Sequence, residues 1–401
     1  MSNQTKYPVL TLKRGKESSI LRFHPWIFSG AIYNANPEPE DGDIVRIEDN
    51  NHNFLAYAHY QPGSIAARIF SFENKIPDED YWKTKIENAW KLRNKLGFNQ
   101  VGQTNVFRLI NAEGDYFPSL IADYYNGTLV LQFHSTGMFR MRDMLVKLFK
   151  EVLADELESI FDKSENTLPG RSNLPKQNAF IFGSQSQANH VSVIENGLKF
   201  KVDISEGQKT GFFIDQRDNR DLLRKYSPGR DVLNMFGYTG GFSVYALSGG
   251  ANLVHTVDGS KPAIEGAREN INMNFPGSSF HEAFDADAFE FLKTAKDKYD
   301  LIILDPPAFA KHNEALHNAL KGYQRLNAMA FEAIKPGGII FTFSCSQVVS
   351  RLHFRQAVFG AAAQAKRKVR ILHQLAQPAD HPVDLAHPEG EYLKGLVLFV
   401  E

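Results

Sequence analysis

The stretch TFSCS holds the only cysteine of the 401-residue chain, Cys345, directly after a run of strand-forming residues. Lone cysteines are more often inert core residues than nucleophiles. The setting here argues for chemistry, because a helical stretch starts near Ser350 and the positive end of a helix favours thiolate. At the reference pKa of about 8.5 only a few per cent of a thiol is ionised at pH 7, and a drop of about two units makes thiolate the majority form. A thiolate adding to carbon 6 of a pyrimidine turns carbon 5 into an enamine that can accept a methyl group. Forty residues upstream, YDLIILD ends in Asp305, followed by Pro306 and Pro307. Two prolines halt strand pairing and stiffen the backbone, which places the Asp305 carboxylate at a strand end. There it could stabilise charge at N3 or the exocyclic amine of cytosine. Many adenine amino methyltransferases carry an aromatic directly after the Pro-Pro; here Ala308 follows and Phe309 comes one later, which weakens that reading. No spacing singles out the base that would remove the carbon 5 proton.

A second group of residues suggests a nucleoside. The strand DVLNMF runs into GYTGGFSVYAL, so that Gly237, Gly240 and Gly241 form a tight turn opening a helix. In doubly wound sheets ligands lie outside the carboxyl ends of the strands near such a turn. Asp258 follows Gly237 by twenty-one residues, close to the distance at which an acidic residue takes ribose hydroxyls. The pattern G-x-x-G-G departs from the dinucleotide fingerprint, and S-adenosyl-L-methionine, which has no pyrophosphate, fits it better. Close helix-sheet packing is the competing explanation for the glycines. EGQKTG at 206 to 211 looks like a P-loop but lacks the glycine before Lys-Thr.

The elements that must position these residues follow from periodicity. DVLNMF, NLVHTVD, SSFHEAF, DLIILD and GIIFTFS are short buried-type strands separated by helical stretches, with VRILHQL and YLKGLVLFVE after them and the last plausibly antiparallel. This predicts a doubly wound, mostly parallel α/β domain over 191–401. Residues 1–72 alternate β-rich runs with turn signals and predict a small β-barrel. Residues 73–190 predict a mixed α+β middle domain. It opens with a helix over 78–97 whose stripe is Trp82, Ile86, Ala89, Trp90 and Leu96, and it contains a hairpin at Asn126-Gly127. The polar, breaker-rich stretch 163–179 reads as a mobile excursion.

Composition narrows the function classes. Hydrophobic residues make up 43% of the chain, and no apolar run approaches the roughly 20 residues of a membrane span. The N-terminal stretch lacks the apolar core of a signal peptide, so the cytoplasm is the expected location and no membrane partner is expected. One cysteine excludes cysteine-based metal sites, and none of the thirteen histidines has zinc-type spacing, so no metal is expected. A net charge of -1 argues against coating nucleic acid by bulk charge. Local basic runs exist, however: Lys6, Lys13, Arg14, Lys16 and Arg22 near the start, and KRKVR at 366 to 370. On charge alone such runs are more often solvated faces.

Taken in order, LKRGKESSILRFHPWIFSGAI, FRLINAEGDYFPSLIADYY, EGQKTGFFIDQRDNR, NMFGYTGGFSVYA, DPPAFAK, TFSCS and PADHPVDLAHPEGEYLKG resemble the bacterial large-subunit ribosomal RNA cytosine-5 methyltransferases of the RlmI type. The resemblance spans almost the whole chain. It implies a PUA domain over 1–72, a β-β-α-β-β domain over 73–190 and a class I methyltransferase domain with a seven-stranded sheet over 191–401. It implies that Phe236, Tyr238, Gly240, Asp258, Ser260, Asp287 and Asp305 line the S-adenosyl-L-methionine site, with Asp285 the alternative to Asp287. Thr210, Gln216 and Arg217 would close over the methionine end, although Arg217 could equally form a surface ion pair. Cys345 matches the family's nucleophile, with Asp305 beside it, while a capping or core role competes evenly with an active-site role for Asp380 and His381. The implied partner is large-subunit ribosomal RNA, contacted through the basic N-terminal segment, with the target cytosine flipped or single-stranded; a homodimer is left open. Two other readings stand beside this one: methylation at a purine or exocyclic nitrogen with Cys345 structural, and a non-catalytic RNA-binding or assembly factor.

Overall fold

Alternation with a period of two organises the second half of the chain. Leu301 and Ile303 point into one apolar layer while Ile302 and Leu304 point into the other, and Ile339, Phe341 and Phe343 repeat the first pattern one strand away. A strand with both faces apolar must be covered on both sides. The computed structural model describes residues 7–100, 102–170, 174–183, 190–310 and 312–401. In it, β1 (Asp231–Met235), β2 (Leu253–Asp258), β3 (His281–Asp285), β4 (Leu301–Leu304), β5 (Gly338–Ser344), β6 (Val369–Leu375) and β7 (Lys394–Val400) form one sheet in the order β3-β2-β1-β4-β5-β7-β6. The first five strands run parallel, and β7 is antiparallel to both of its neighbours.

Six helices accompany the sheet: α1 (Arg217–Tyr226), α2 (Gly241–Ser248), α3 (Lys261–Asn274), α4 (Ala288–Lys293), α5 (Leu316–Ala333) and α6 (Arg351–Gln364). Residues of α4, α5 and α6 join one apolar layer, with Leu292, Tyr323, Phe331 and Phe354 at its centre. Leu223 of α1 and Phe242 and Ala246 of α2 join the other. The strand order reverses direction between β1 and β4, and crevices for ligands form at the carboxyl ends beside such a point.

Two compact units divide the chain. The first gathers Met1–Val193, Val202–Phe212 and Ala379–Gly390; the second, which holds the seven-stranded sheet, gathers Ile194–Lys201, Phe213–Pro378 and Glu391–Glu401. The first unit contains a six-stranded sheet built from Val9–Leu12, Trp26–Phe28, Ile32–Asn36, Ile44–Glu48, Phe54–Tyr60 and Ile65–Ser71, with Leu10, Ile27, Val45, Ile47 and Ile69 in its core. It also contains a five-stranded sheet of Val106–Asn111, Leu120–Tyr125, Thr128–Phe133, Ser159–Asp162 and Ala179–Phe182. Asn126 and Gly127, at φ 43° and 90°, make the tight turn that their types predict.

Two expectations for the first unit need correction. The helix Glu79–Lys95 buries Trp82, Ile86, Ala89 and Arg93, while Leu96 is 42% exposed. Arg93 continues the helical stripe that an apolar pattern assigns to Leu96, and it is accommodated because Asp115 takes both guanidinium arms at 2.6 and 2.7 Å. The stretch 163–179 is anchored at its start: Ser164 Oγ accepts from Phe133 N–H at 3.0 Å, Thr167 Oγ1 donates to Phe133 C=O at 2.7 Å, and Leu168 is buried. Residues 171–173 of that stretch, and Lys6 of the basic segment, lie outside the described residues.

Among the described residues, no helix is long and apolar enough to cross a membrane, and no group of three or more His, Cys, Asp or Glu side chains is placed to hold a metal ion.

Candidate active site

Beyond β1 the chain reverses through Phe236, Gly237, Tyr238, Thr239 and Gly240 before α2 begins. Phe236 and Tyr238 sit at φ 59° and 45°, left-handed values that cost residues with side chains about 1–3 kcal/mol each. Gly237 donates to Val257 C=O at 3.0 Å, and a Cβ there would lie 2.4 Å from Thr256 Cγ2. Gly240, at φ 77°, comes so close to α3 that a Cβ would meet that of Ala267 at 3.0 Å. Close packing therefore accounts for both glycines. The same compact turn brings Tyr238 N–H to 2.9 Å from Asp258 Oδ2, and Ser260 N–H reaches Asp258 Oδ1 at 2.9 Å. Each carboxylate oxygen accepts one backbone N–H and keeps a lone pair, so the half-buried Asp258 is oriented and still able to accept from ribose hydroxyls. This donor and acceptor set fits an adenosine.

The neighbouring acids follow the sheet register. Asp285 ends β3 directly opposite Asp258, and Asp287, two residues on, caps α4 by accepting from Glu290 N–H at 3.0 Å; both are exposed. Ser260 caps α3 through Ala263 N–H.

Asp305 stands one residue past β4. Burial pushes its carboxyl up to about 7, the like charge of Asp215 adds to the rise, and Gln216 and Arg220 oppose it. Gln216 Nε2 donates to Asp305 Oδ2 at 3.0 Å and is itself held by Asn219, whose Nδ2 donates to Gln216 Oε1 at 2.7 Å. Asp215 is fixed by the Tyr392 hydroxyl at 2.8 Å, and Phe213 meets Tyr238 edge to face at 5.3 Å. The segment leading into α1 thus brings Gln216 to Asp305.

Arg217 and Thr210 make contacts of their own. Arg217 is 2% exposed, with Nε 3.5 Å from the fully buried Glu195, which also takes Arg220 through two hydrogen bonds of 2.9 and 2.8 Å. This is an ion pair in the interior, not the surface pair considered for Arg217. Thr210 belongs to the first unit, where its hydroxyl donates to Asp123 Oδ2 at 2.7 Å and pairs with the Tyr125 hydroxyl at 2.8 Å. Asp380 is a core residue of that unit: its carboxylate accepts from Arg108 N–H, its carbonyl accepts from Arg93, and His381 lies against it.

Cys345 is half-buried and follows β5 directly, on the sheet edge that also carries Asp305. Ser344 Oγ donates to the Tyr323 hydroxyl at 3.0 Å, and that hydroxyl also lies 3.0 Å from Ser346 Oγ, so one residue of α5 spans the two serines flanking the thiol. Phe309 packs on the Tyr323 ring at 4.6 Å and is committed to that contact. Lys394, paired with Ser344 in the sheet, is 4% exposed and donates to Ser346 C=O at 2.7 Å. Sequence reading missed Tyr323, Lys394, Asp215 and Glu195. Lys394 lies in the quoted EYLKG, but nothing in that string shows that β7 pairs with β5.

Residues 136–387 match the family model described as S-adenosylmethionine-dependent methyltransferase, and residues 10–72 match a PUA-like domain. The chain is 38% identical over 392 residues to the ribosomal RNA large subunit methyltransferase I of Aeromonas salmonicida (strain A449), covering 96% of this chain and 98% of that one. The protein of the same name from Vibrio vulnificus (strain YJ016) is 37% identical over 390 residues, covering 96% and 97%. Among solved structures, a SAM-dependent methyltransferase from Streptococcus mutans superposes with a TM-score of 0.83 at 23% identity, covering 98% of this chain and 99% of that one. A methyltransferase complexed with SAH superposes with a TM-score of 0.85 at 23% identity over the same shares. These two share the fold. With a methyltransferase model over most of its length and relatives matched end to end, the chain belongs to the S-adenosylmethionine-dependent methyltransferases, in the family of the ribosomal RNA large subunit methyltransferase I proteins.

Proposed function

We propose that this chain methylates carbon 5 of a cytosine in large-subunit ribosomal RNA through a transient bond between Cys345 Sγ and carbon 6 of the base. The observation that carries the reading is the place of the chain's only cysteine, one residue past β5 on the edge that also holds Asp305 and Asp258. Tyr238, Asp258, Ser260, Asp287 and Gln216 are the residues proposed to hold S-adenosyl-L-methionine, together with Phe236, Gly240 and Asp305. When bound, this cofactor supplies an electrophilic methyl group.

The Cys345 thiolate gives an electron pair to carbon 6, and the pair of the C5=C6 bond moves to carbon 5, which becomes the methyl acceptor. Asp305, which carries a proton for part of the time near neutrality, can donate a hydrogen bond to N3 as charge develops on the ring. After methylation a water molecule takes the carbon 5 proton, the C5–H pair restores C5=C6, and the S–C6 pair returns to Cys345. Phe309 is engaged with Tyr323, which counts against a stacked purine or exocyclic amine as the target. RNA contact is assigned to the first unit, where Lys13, Arg14, Lys16 and Arg22 are exposed near the exposed apolar side chains of Leu21, Phe23 and Phe28.

The test is Cys345→Ala assayed on large-subunit ribosomal RNA. Methyl transfer should fall to background while S-adenosylhomocysteine still binds, and the unaltered enzyme should be trapped on RNA containing 5-fluorocytosine. Normal transfer by the alanine variant would rule out the covalent route.

A further inference from the structure

The chain positions a buried amine beside its only thiol. Ser344 and Lys394 are directly paired in the antiparallel ladder of β5 and β7. From there the Lys394 side chain donates to the carbonyl of Ser346, the residue after Cys345, at 2.7 Å and 4% exposure. A buried ammonium has three N–H groups and a charge to compensate, and one carbonyl supplies one acceptor and no charge.

Among the described residues, the charged and titratable groups facing this spot are few. Tyr323 comes from α5; burial and the nearby Cys345 raise its phenol, which therefore stays neutral. Arg351, at the start of α6, is a cation turned to Leu375 C=O at 3.0 Å and to Glu391 at 3.4 Å, and it disfavours charge on Lys394. The remaining group is the thiol. Burial lowers the Lys394 amine to about 8, and Cys345 acts in the opposite direction, favouring the ammonium. Such an interaction is reciprocal, so the ammonium favours the thiolate by the same amount.

Resting on the covalent reading above, we infer that Lys394 is a positioning residue that holds Cys345 in its nucleophilic, ionised form, while Tyr323 locks the two serines on either side of it. The ammonium is the counter-ion of the resting thiolate. Once the sulfur has bonded to carbon 6 it no longer carries charge, and when the sulfur is expelled the ammonium is in place to receive the returning anion.

Because Cys345 is the only cysteine, the pH profile of alkylation by iodoacetamide reports one residue in the intact protein. In the unaltered enzyme the midpoint should lie below the reference value of about 8.5. In Lys394→Met it should rise by about one unit, slowing alkylation at pH 7 about tenfold, and Lys394→Arg should restore the low midpoint. A midpoint at or above the reference in the unaltered enzyme, which requires no variant to fold, would overturn the inference, as would an unchanged profile in a folded Lys394→Met. Trapping on RNA containing 5-fluorocytosine separates the two claims. An adduct combined with an unshifted Lys394→Met profile removes the role of Lys394 and keeps the covalent route. A shifted profile without an adduct supports the ion pair and removes the cytosine reading.

Discussion

Replacing Asp305 with asparagine should make the second unit more stable at neutral pH and less sensitive to pH. The Asp305 carboxyl is raised from 3.8 to about 7, mainly by burial and secondarily by Asp215. For an acid whose pKa is higher in the folded chain, protonation favours the fold, so stability is lost as pH climbs from about 4 through 7. A rise of about three units at about 1.4 kcal/mol per unit corresponds to about 4 kcal/mol between the extremes, an upper bound because solvent reaches part of the residue. Asparagine keeps an acceptor for Gln216 Nε2 and carries no charge, so the stability difference between variant and native should grow from pH 4 to 7 and level off above. Urea unfolding followed by circular dichroism in buffers from pH 4 to 8 measures it. All three tryptophans, Trp26, Trp82 and Trp90, belong to the first unit, so their fluorescence reports on that unit and circular dichroism is needed to follow the second. A difference that stays flat across this range would refute the assignment of a half-buried, partly protonated Asp305.

The proposed cofactor site yields three further expectations. Asp258→Ala removes the acceptor of two backbone N–H groups and the proposed ribose contact, and should weaken S-adenosylhomocysteine binding by at least about tenfold in calorimetry; unchanged affinity would exclude the ribose role. Gly240→Ala forces a side chain into a left-handed turn 3.0 Å from Ala267, and should cost about 1–3 kcal/mol of stability, seen as a lower melting temperature. Glu195→Gln leaves Arg217 and Arg220 buried without their carboxylate, and should cost about 3–5 kcal/mol and also weaken cofactor binding, because α1 is held by these pairs and Gln216 directly precedes it.

Much of this architecture was legible because the relevant signals are local. DLIILD and GIIFTFS read as doubly buried strands since each alternates between two apolar layers, and Asn126-Gly127 reads as a hairpin since both residues tolerate positive φ. The turn proposed to hold the cofactor can be read from the sequence for the same reason: Gly240 and Asp258 bracket one helix-strand segment, α2 followed by β2, and their separation is set by its length. The helix at Glu79–Lys95 shows where a local reading fails. Its stripe continues through a charged residue, and the partner that makes this tolerable, Asp115, comes twenty-two positions later in the chain.

The same limit governs the chemistry around Cys345. TFSCS identifies the thiol, but what tunes it arrives from α5 and β7, whose side chains reach the site only because Tyr323 faces the core and Lys394 happens to pair with Ser344. Moving β7 by one residue against β5 would turn Lys394 to the opposite face of the sheet, leaving the thiol without its cation. The long register from Gly338 against Val400 to Ser344 against Lys394 is therefore part of the proposed active site: seven consecutive pairs, nearly all buried, make such a slip expensive. A strand that looks purely structural in the sequence in this way places the charge on which the nucleophile is proposed to depend.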